Sequence, residues 1–183
     1  MIYDLPTALE VCGVSYEIRS DYRAILDICI ALNDPELMEQ EKPIAALSIM
    51  YPAFMSGGMP PEHYKEALEQ CFWFIDRGEK HASGPRLVDW EKDFMYIIAP
   101  INKVVGQEVR AVEYMHWWTF IGAYMEIGEC TFSQIVSIRD KKARNKQMDK
   151  WEKEWYRRNR DIVDFATAYT EEEKSVLSAW GGG

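Results

Sequence analysis

Three histidines and four scattered cysteines are all that this 183-residue chain offers a transition metal or a thiol nucleophile. Cys12, Cys29, Cys71 and Cys130 nowhere form a C-x-x-C pair, which excludes a zinc ribbon and a thioredoxin-like site. No G-x-S-x-G, P-loop or G-x-G-x-x-G run occurs, and Gly57-Gly58 is too short and too apolar in context to cradle a phosphate. No stretch approaches the roughly 20 uninterrupted apolar residues that a membrane span needs. Met1 to Pro6 has neither the basic region nor the apolar run of a signal peptide. These absences predict a protein of a reducing cytosol whose thiols are buried small hydrophobes. They also predict no enzyme, no cofactor and no metal. Cys71, beside Phe72-Trp73-Phe74, sits where an apolar setting makes a thiol inert.

What is present is the composition of a folded protein, 48% hydrophobic and 13% aromatic, with seven Trp and ten Tyr. Such a chain buries enough apolar surface to fold, and its length suits a single domain over residues 1–183. The formal net charge is −9, a poor match for nucleic acid, whose phosphates select clustered Lys and Arg.

Residues 1–19 read as a β-hairpin: Leu9 to Val11 and Val14 to Ile18 are β-leaning runs separated by Cys12-Gly13, a two-residue gap that suits a type I′ turn. Residues 20–139 then carry helical periodicity. Ser20 or Asp21 caps a helix to about Leu32, a second covers about Pro43 to Tyr51, and a third runs from Pro61 to about Asp76, with Gly78 past its end. Between them lie Gly- and Pro-rich loops at 52–61 and 78–86. Asp89 is the expected cap of a helix containing Trp90, Phe94, Ile97 and Ile101, kinked or broken at Pro100. Residues 111–127 are apolar almost all round, as a central helix would be, and Thr131 to Arg139 is a further short helix.

Residues 140–180 differ in character. From Arg139 to Arg160 there are ten basic and four acidic residues, a local net of +6 against −15 for the rest. Met148, Trp151, Trp155, Ile162 and Phe165 form a heptad-like seam on a long basic amphipathic helix. Thr170-Glu171-Glu172-Glu173 then caps a terminal helix ending near Trp180. The expected fold class is therefore mainly α, with a short N-terminal β-hairpin and a long C-terminal amphipathic helix.

Two groups of residues carry candidate chemistry. Glu113-Tyr-Met-His116 has the E-x-x-H spacing of di-iron bundles. The second E-x-x-H pair and the extra carboxylates are lacking, and a hydrogen-bonded structural histidine is the reading adopted. The basic stretch has three readings: a solvated face whose seam packs on its own domain, a surface for protein contact or self-association, or a nucleic-acid site in which Trp151, Trp155 and Tyr156 interleave with cations. For protein contact the seam Met148, Trp151, Trp155 and Ile162, with Arg157 and Arg158 beside it, is the candidate surface.

A family resemblance rests on particular runs. Leu5-Pro6-Thr7, Val11-Cys12-Gly13-Val14-Ser15-Tyr16-Glu17-Ile18 and Ser20-Asp21-Tyr22-Arg23 resemble the N-terminal signature of the bacteriophage gene-product-fifteen family. Asp89-Trp90-Glu91-Lys92-Asp93, Ile97-Ile98-Ala99 and Met115-His116-Trp117-Trp118-Thr119-Phe120 continue it, as do Phe132, Ile135, Ile138 and Arg139. The chain departs from the family at Gly106 to Val109 and at Glu126-Ile127-Gly128, both loop positions. The resemblance implies a tail-gene-cluster protein of the host bacterial cytoplasm. By that analogy it is a tail assembly chaperone that binds the tape-measure protein, other tail proteins and copies of itself. The alternatives are a tail or adaptor component retained in the virion, or a nucleic-acid-binding regulator acting through residues 139–160.

Overall fold

The computed structural model describes residues 4–79 and 84–165. Strands β1 (Ala8–Val11) and β2 (Val14–Glu17) pair antiparallel, with Leu9 opposite Tyr16 and Val11 opposite Val14. Cys12 (φ 50) and Gly13 (φ 74) both adopt positive φ, as the expected turn requires. A left-handed Cys is costly. Here its amide donates to Glu66 Oε1 (2.8 Å) and its thiol to Glu66 Oε2 (3.3 Å), which ties the turn to a later helix.

Helices α1 (Tyr22–Asn33), α2 (Glu41–Met50) and α4 (Tyr64–Ile75) lie close to the expected spans. The loop after α2 opens with one helical turn, α3 (Pro52–Met55), because Pro52 has no amide hydrogen to lose at the first helical position. Then follow α5 (Phe94–Val105), α6 (Trp117–Met125), α7 (Thr131–Ala143), α8 (Lys150–Arg158) and α9 (Arg160–Val163). The apolar core runs from Leu9 through Ile25, Met50, Phe74, Ile97 and Phe120 to Phe132, all buried. The fold is thus mainly α with the expected hairpin.

Four expectations need correction. Asp89 does not cap α5: it bonds the amide of Lys92 in a preceding turn, and Asp93 stands at the helix start. Pro100 neither ends nor divides α5, because Ile97, Ile98 and Ile101 around it are buried and their packing outweighs the missing hydrogen bond. Residues 111–127 are not one helix. Val109–Ala111 is a 3-10 turn, 112–115 carries no regular structure, and α6 starts only at Trp117. The long basic helix is also interrupted. α7 ends at Ala143, Asn145 takes a positive φ (51), Asp149 caps a new helix, and Asn159 separates α8 from α9. The predicted terminal helix at 170–180 lies outside the described residues.

The break before α6 has a specific cause. Asp21 and His116 face each other in an antiparallel bridge, and each caps a helix, α1 and α6 respectively. The Met115 amide donates to Asp21 Oδ2 (2.9 Å), while Arg23 donates to the carbonyl of Val112 (2.6 Å). His116 Nδ1 accepts the Trp118 amide (3.0 Å) and Nε2 donates to the Pro6 carbonyl (3.0 Å). Both ring nitrogens are engaged in the neutral tautomer, and burial pushes the imidazole pKa below its usual value. The two indoles that follow donate to the last carbonyls of α4, Trp117 to Ile75 (2.9 Å) and Trp118 to Phe74 (2.8 Å), the latter also accepting the Arg77 amide (3.2 Å). The His-Trp-Trp run is therefore a structural clamp.

A depressed histidine pKa means that the neutral form is favoured by folding. Its contribution is complete above the unfolded value of 6.5 and is lost as pH falls through it. Urea midpoints at about pH 7.5 and about pH 5.5 should therefore differ in the native chain and converge in His116→Asn, which keeps a capping oxygen without the titration. Equal pH dependence in both proteins would remove His116 as the source.

Candidate interaction surface

The C-terminal layer is built around Arg139. This residue and Asp93 are both buried, Arg139 on α7 and Asp93 at the start of α5. Nη2 donates to Asp93 Oδ1 (2.9 Å) and to the Ile162 carbonyl (3.0 Å), and Nη1 to Asp93 Oδ2 and the Leu87 carbonyl (2.9 Å). Nε donates to the Val163 carbonyl (2.7 Å), so every guanidinium donor is used. The ring of Phe165 covers the cation at 4.3 Å. One side chain thus fixes α7, α9, the approach to α5 and residue 165 together.

On the other side of α7 lies α8. Asp149 accepts the Glu152 amide (2.8 Å) and Glu152 returns to the Asp149 amide (2.9 Å), a capping box spelled Asp149-Lys-Trp-Glu152 in the sequence. That spacing was available to sequence reasoning and marks the interruption that periodicity alone overran. Lys141 reaches Glu152 from α7, and Lys142 reaches Asp164 and the Tyr156 hydroxyl.

Between α7 and α8 is an open cleft of about 530 Å³ lined by Glu129, Cys130, Ser133, Gln134, Ser137, Ile138, Trp151 and Glu152. Trp151 is 61% exposed at its rim. Gln134 lines the cleft, and its Nε2 is buried without a hydrogen-bond partner among the described residues. The cleft residues on α7 carried no sequence signal, since a Ser- and Gln-bearing helix face reads as ordinary solvent surface.

The seam expected from the sequence is divided by this geometry. Met148 is half-buried just before the cap of α8, and Trp151 and Trp155 lie one turn apart on α8, Trp155 half-buried. Ile162, on α9, is held through its carbonyl by Arg139 rather than aligned with the tryptophans on a continuous helix. Arg157 and Arg158 are exposed and both engage Glu154. The same local pairing recurs along the stretch: Lys141 with Glu152, Lys142 and Arg160 with Asp164, Arg144 and Lys146 with Asp140. Lys150 and Lys153 have no ion pair among the described residues.

The carboxylates respond accordingly. Hydrogen bonds from Lys141, Arg157 and Arg144 hold Glu152, Glu154 and Asp140 below their usual values. For Asp164 burial pushes the pKa up, but hydrogen bonds from Lys142 and Tyr156 bring it below the usual carboxylate range. Elsewhere burial drives the Cys29 and Cys71 thiols up to about 12, so neither is a nucleophile at neutral pH. Glu113 and His116 do not share a helix face, and His116 is occupied as a cap.

Depressed carboxylate values stabilise the C-terminal layer above the ordinary Glu value of 4.5, and that contribution disappears as pH falls through the lowered ones. Acidification should expose the α8 amides to hydrogen exchange before those of α5. Lys141→Ala should move the α8 step to higher pH, because Glu152 loses the partner that holds its proton off. Simultaneous exposure of α5 and α8 in both proteins would show that these pairs do not hold α8. Asp93→Ala should cost about 3–5 kcal/mol in chemical denaturation, the penalty of stranding a buried guanidinium. A loss under about 1 kcal/mol would mean that water reaches Arg139.

The family model described as Bacteriophage Gp15 protein matches residues 1–165, most of the chain, and the chain belongs to that family. No curated protein and no solved structure matches it.

Proposed function

We propose that this member of the bacteriophage Gp15 family is a non-enzymatic tail assembly chaperone. In this reading it works in the host cytoplasm, binds apolar helical segments of the tape-measure protein and associates with its own copies. The observation that carries the reading is Trp151, a large aromatic side chain 61% exposed at the rim of a cleft between α7 and α8. Large rigid aromatics beside a concavity are the usual anchors of protein contact. Met38, Met55, Met95 and Met125 are also more than half exposed, and thioether side chains adapt to varied apolar partners. No helix among the described residues is long and apolar enough to cross a membrane.

A virion component is the second reading, and the same anchor suits it. The nucleic-acid reading is the weakest, because most cations of residues 139–160 already face carboxylates of their own segment. Phosphates would have to displace those partners.

The test is co-expression with the tape-measure protein of the same gene cluster, affinity recovery and size-exclusion light scattering. A large stable complex is expected, weakened about thirtyfold or more by Trp151→Ala, the effect of losing an anchor worth about 2 kcal/mol. Absence of any complex, with stoichiometric recovery of the protein from purified virions, would replace the chaperone by the structural component.

A further inference from the structure

Between α1 and residues 86–94 lies a groove that, among the described residues, neither α7 nor α8 lines. Its floor is apolar: Tyr22, Leu26, Ile30, Trp90 and Phe94 border an open space of about 400 Å³. A smaller hollow of about 240 Å³, reaching Asn33 and Asp34, shares Ile30, Trp90 and Glu91 with it. Together they follow α1, a helix of 12 residues, about 18 Å long.

The charges along the groove are not in balance. Its three arginines are each paired, Arg23 with Asp21, Arg86 with Asp89 and Arg110 with Glu108. Asp27, Asp34 and Glu91 have no ion pair among the described residues, and loss of water around Asp27 holds its carboxyl above the usual value. An apolar floor edged by unanswered carboxylates selects a helix that brings an apolar anchor with cations beside it.

Helix α8 presents that combination. Trp151 is largely exposed, and Lys150 and Lys153, exposed as well, have no ion pair among the described residues. Lys150 adjoins Trp151, and Lys153 lies three residues beyond Lys150 on the same side of the helix. At 9 residues, about 14 Å, α8 is short enough to lie along α1. Lys141 and Lys142 tie α8 to α7 of its own chain through Glu152 and Tyr156, so the α8 that enters the groove belongs to another copy.

We propose that copies of this protein associate by seating α8 of one in the α1 groove of the next, with Trp151 on Leu26, Ile30 and Phe94 and with Lys150 and Lys153 facing Asp27 and Glu91. The contact rests on the self-association of the proposed function, gives it two surfaces and needs no phage partner.

Light scattering of the protein alone, over a concentration series, tests it. Asp27→Lys, Glu91→Lys reverses the groove, and Lys150→Glu, Lys153→Glu reverses α8. All four positions are exposed, and unchanged urea midpoints are the folding control. Native chains should grow in mass with concentration, and either variant should weaken that association about tenfold or more. Equimolar mixing of the two variants should restore it, because the intact α8 of one meets the intact groove of the other. Native association that neither variant alters, or variants that stay apart when mixed, would overturn the proposal and leave self-association to other surfaces. A native chain monomeric throughout would overturn both this contact and the self-association it rests on. Tape-measure binding lost only in the groove variant would then give the groove to that partner.

Discussion

The guanidinium of Arg139 is the point on which the C-terminal half of this structure depends. It is buried with Asp93, and a buried cation is tolerable only when each donor is answered. Asp93 supplies both carboxylate oxygens, and the remaining acceptors are the carbonyls of Leu87, Ile162 and Val163. Those carbonyls belong to segments with little regular structure of their own: an irregular stretch before α5 and the single helical turn of α9. Neither would hold its course without an external donor. The pair therefore does more than offset its own desolvation, because it gives two irregular segments one fixed geometry and places Phe165 where the chain leaves α9.

A second polar junction does the same for the N-terminal half. Asp21 and His116 sit side by side as the caps of α1 and α6, and Arg23 collects the carbonyls of the segment that leads to His116. This junction explains which parts of the fold could be read from the sequence. The hairpin was legible because its register follows from a two-residue turn, and α1 and α4 because cap and periodicity coincide. Residues 111–127 misled because apolar periodicity says nothing about Arg23 and Asp21, about ninety residues away, which draw the backbone of 112–115 out of helical form. Asp93 was missed as a functional position for a related reason: its partner is Arg139, and no local pattern records a pair that far apart. The interruption before α8 was legible in principle through Asp149 and Glu152, but the seam of apolar residues ran across it.

The basic stretch is also better understood as a set of local neutralisations than as a free cationic arm. Its lysines and arginines mostly meet Asp140, Glu152, Glu154 and Asp164, all within or just beyond the same segment. Exposed pairs of this kind contribute little each, typically under about 1 kcal/mol. Their effect is to select how α8 and α9 lie against α7 rather than to make that layer strong. Among the described residues the ion pair that links this stretch to the rest of the chain is Arg139 with Asp93, deep in the protein.

These two kinds of interaction divide the molecule by strength. The core stacks Tyr22 on Phe120 at 4.3 Å and Trp117 on Phe120 at 5.9 Å, and it is closed by indole hydrogen bonds to α4. The α8 layer rests on ion pairs and a capping box beside an open cleft. Elements that exchange partners are drawn from the weakly held end of a structure, because an incoming surface has only to replace contacts of small worth. The proposed chaperone role would use that asymmetry: a core that does not change, and beside it a face whose own contacts are cheap to give up. In this chain the weakly held face is the one around Trp151, 61% exposed beside an open cleft.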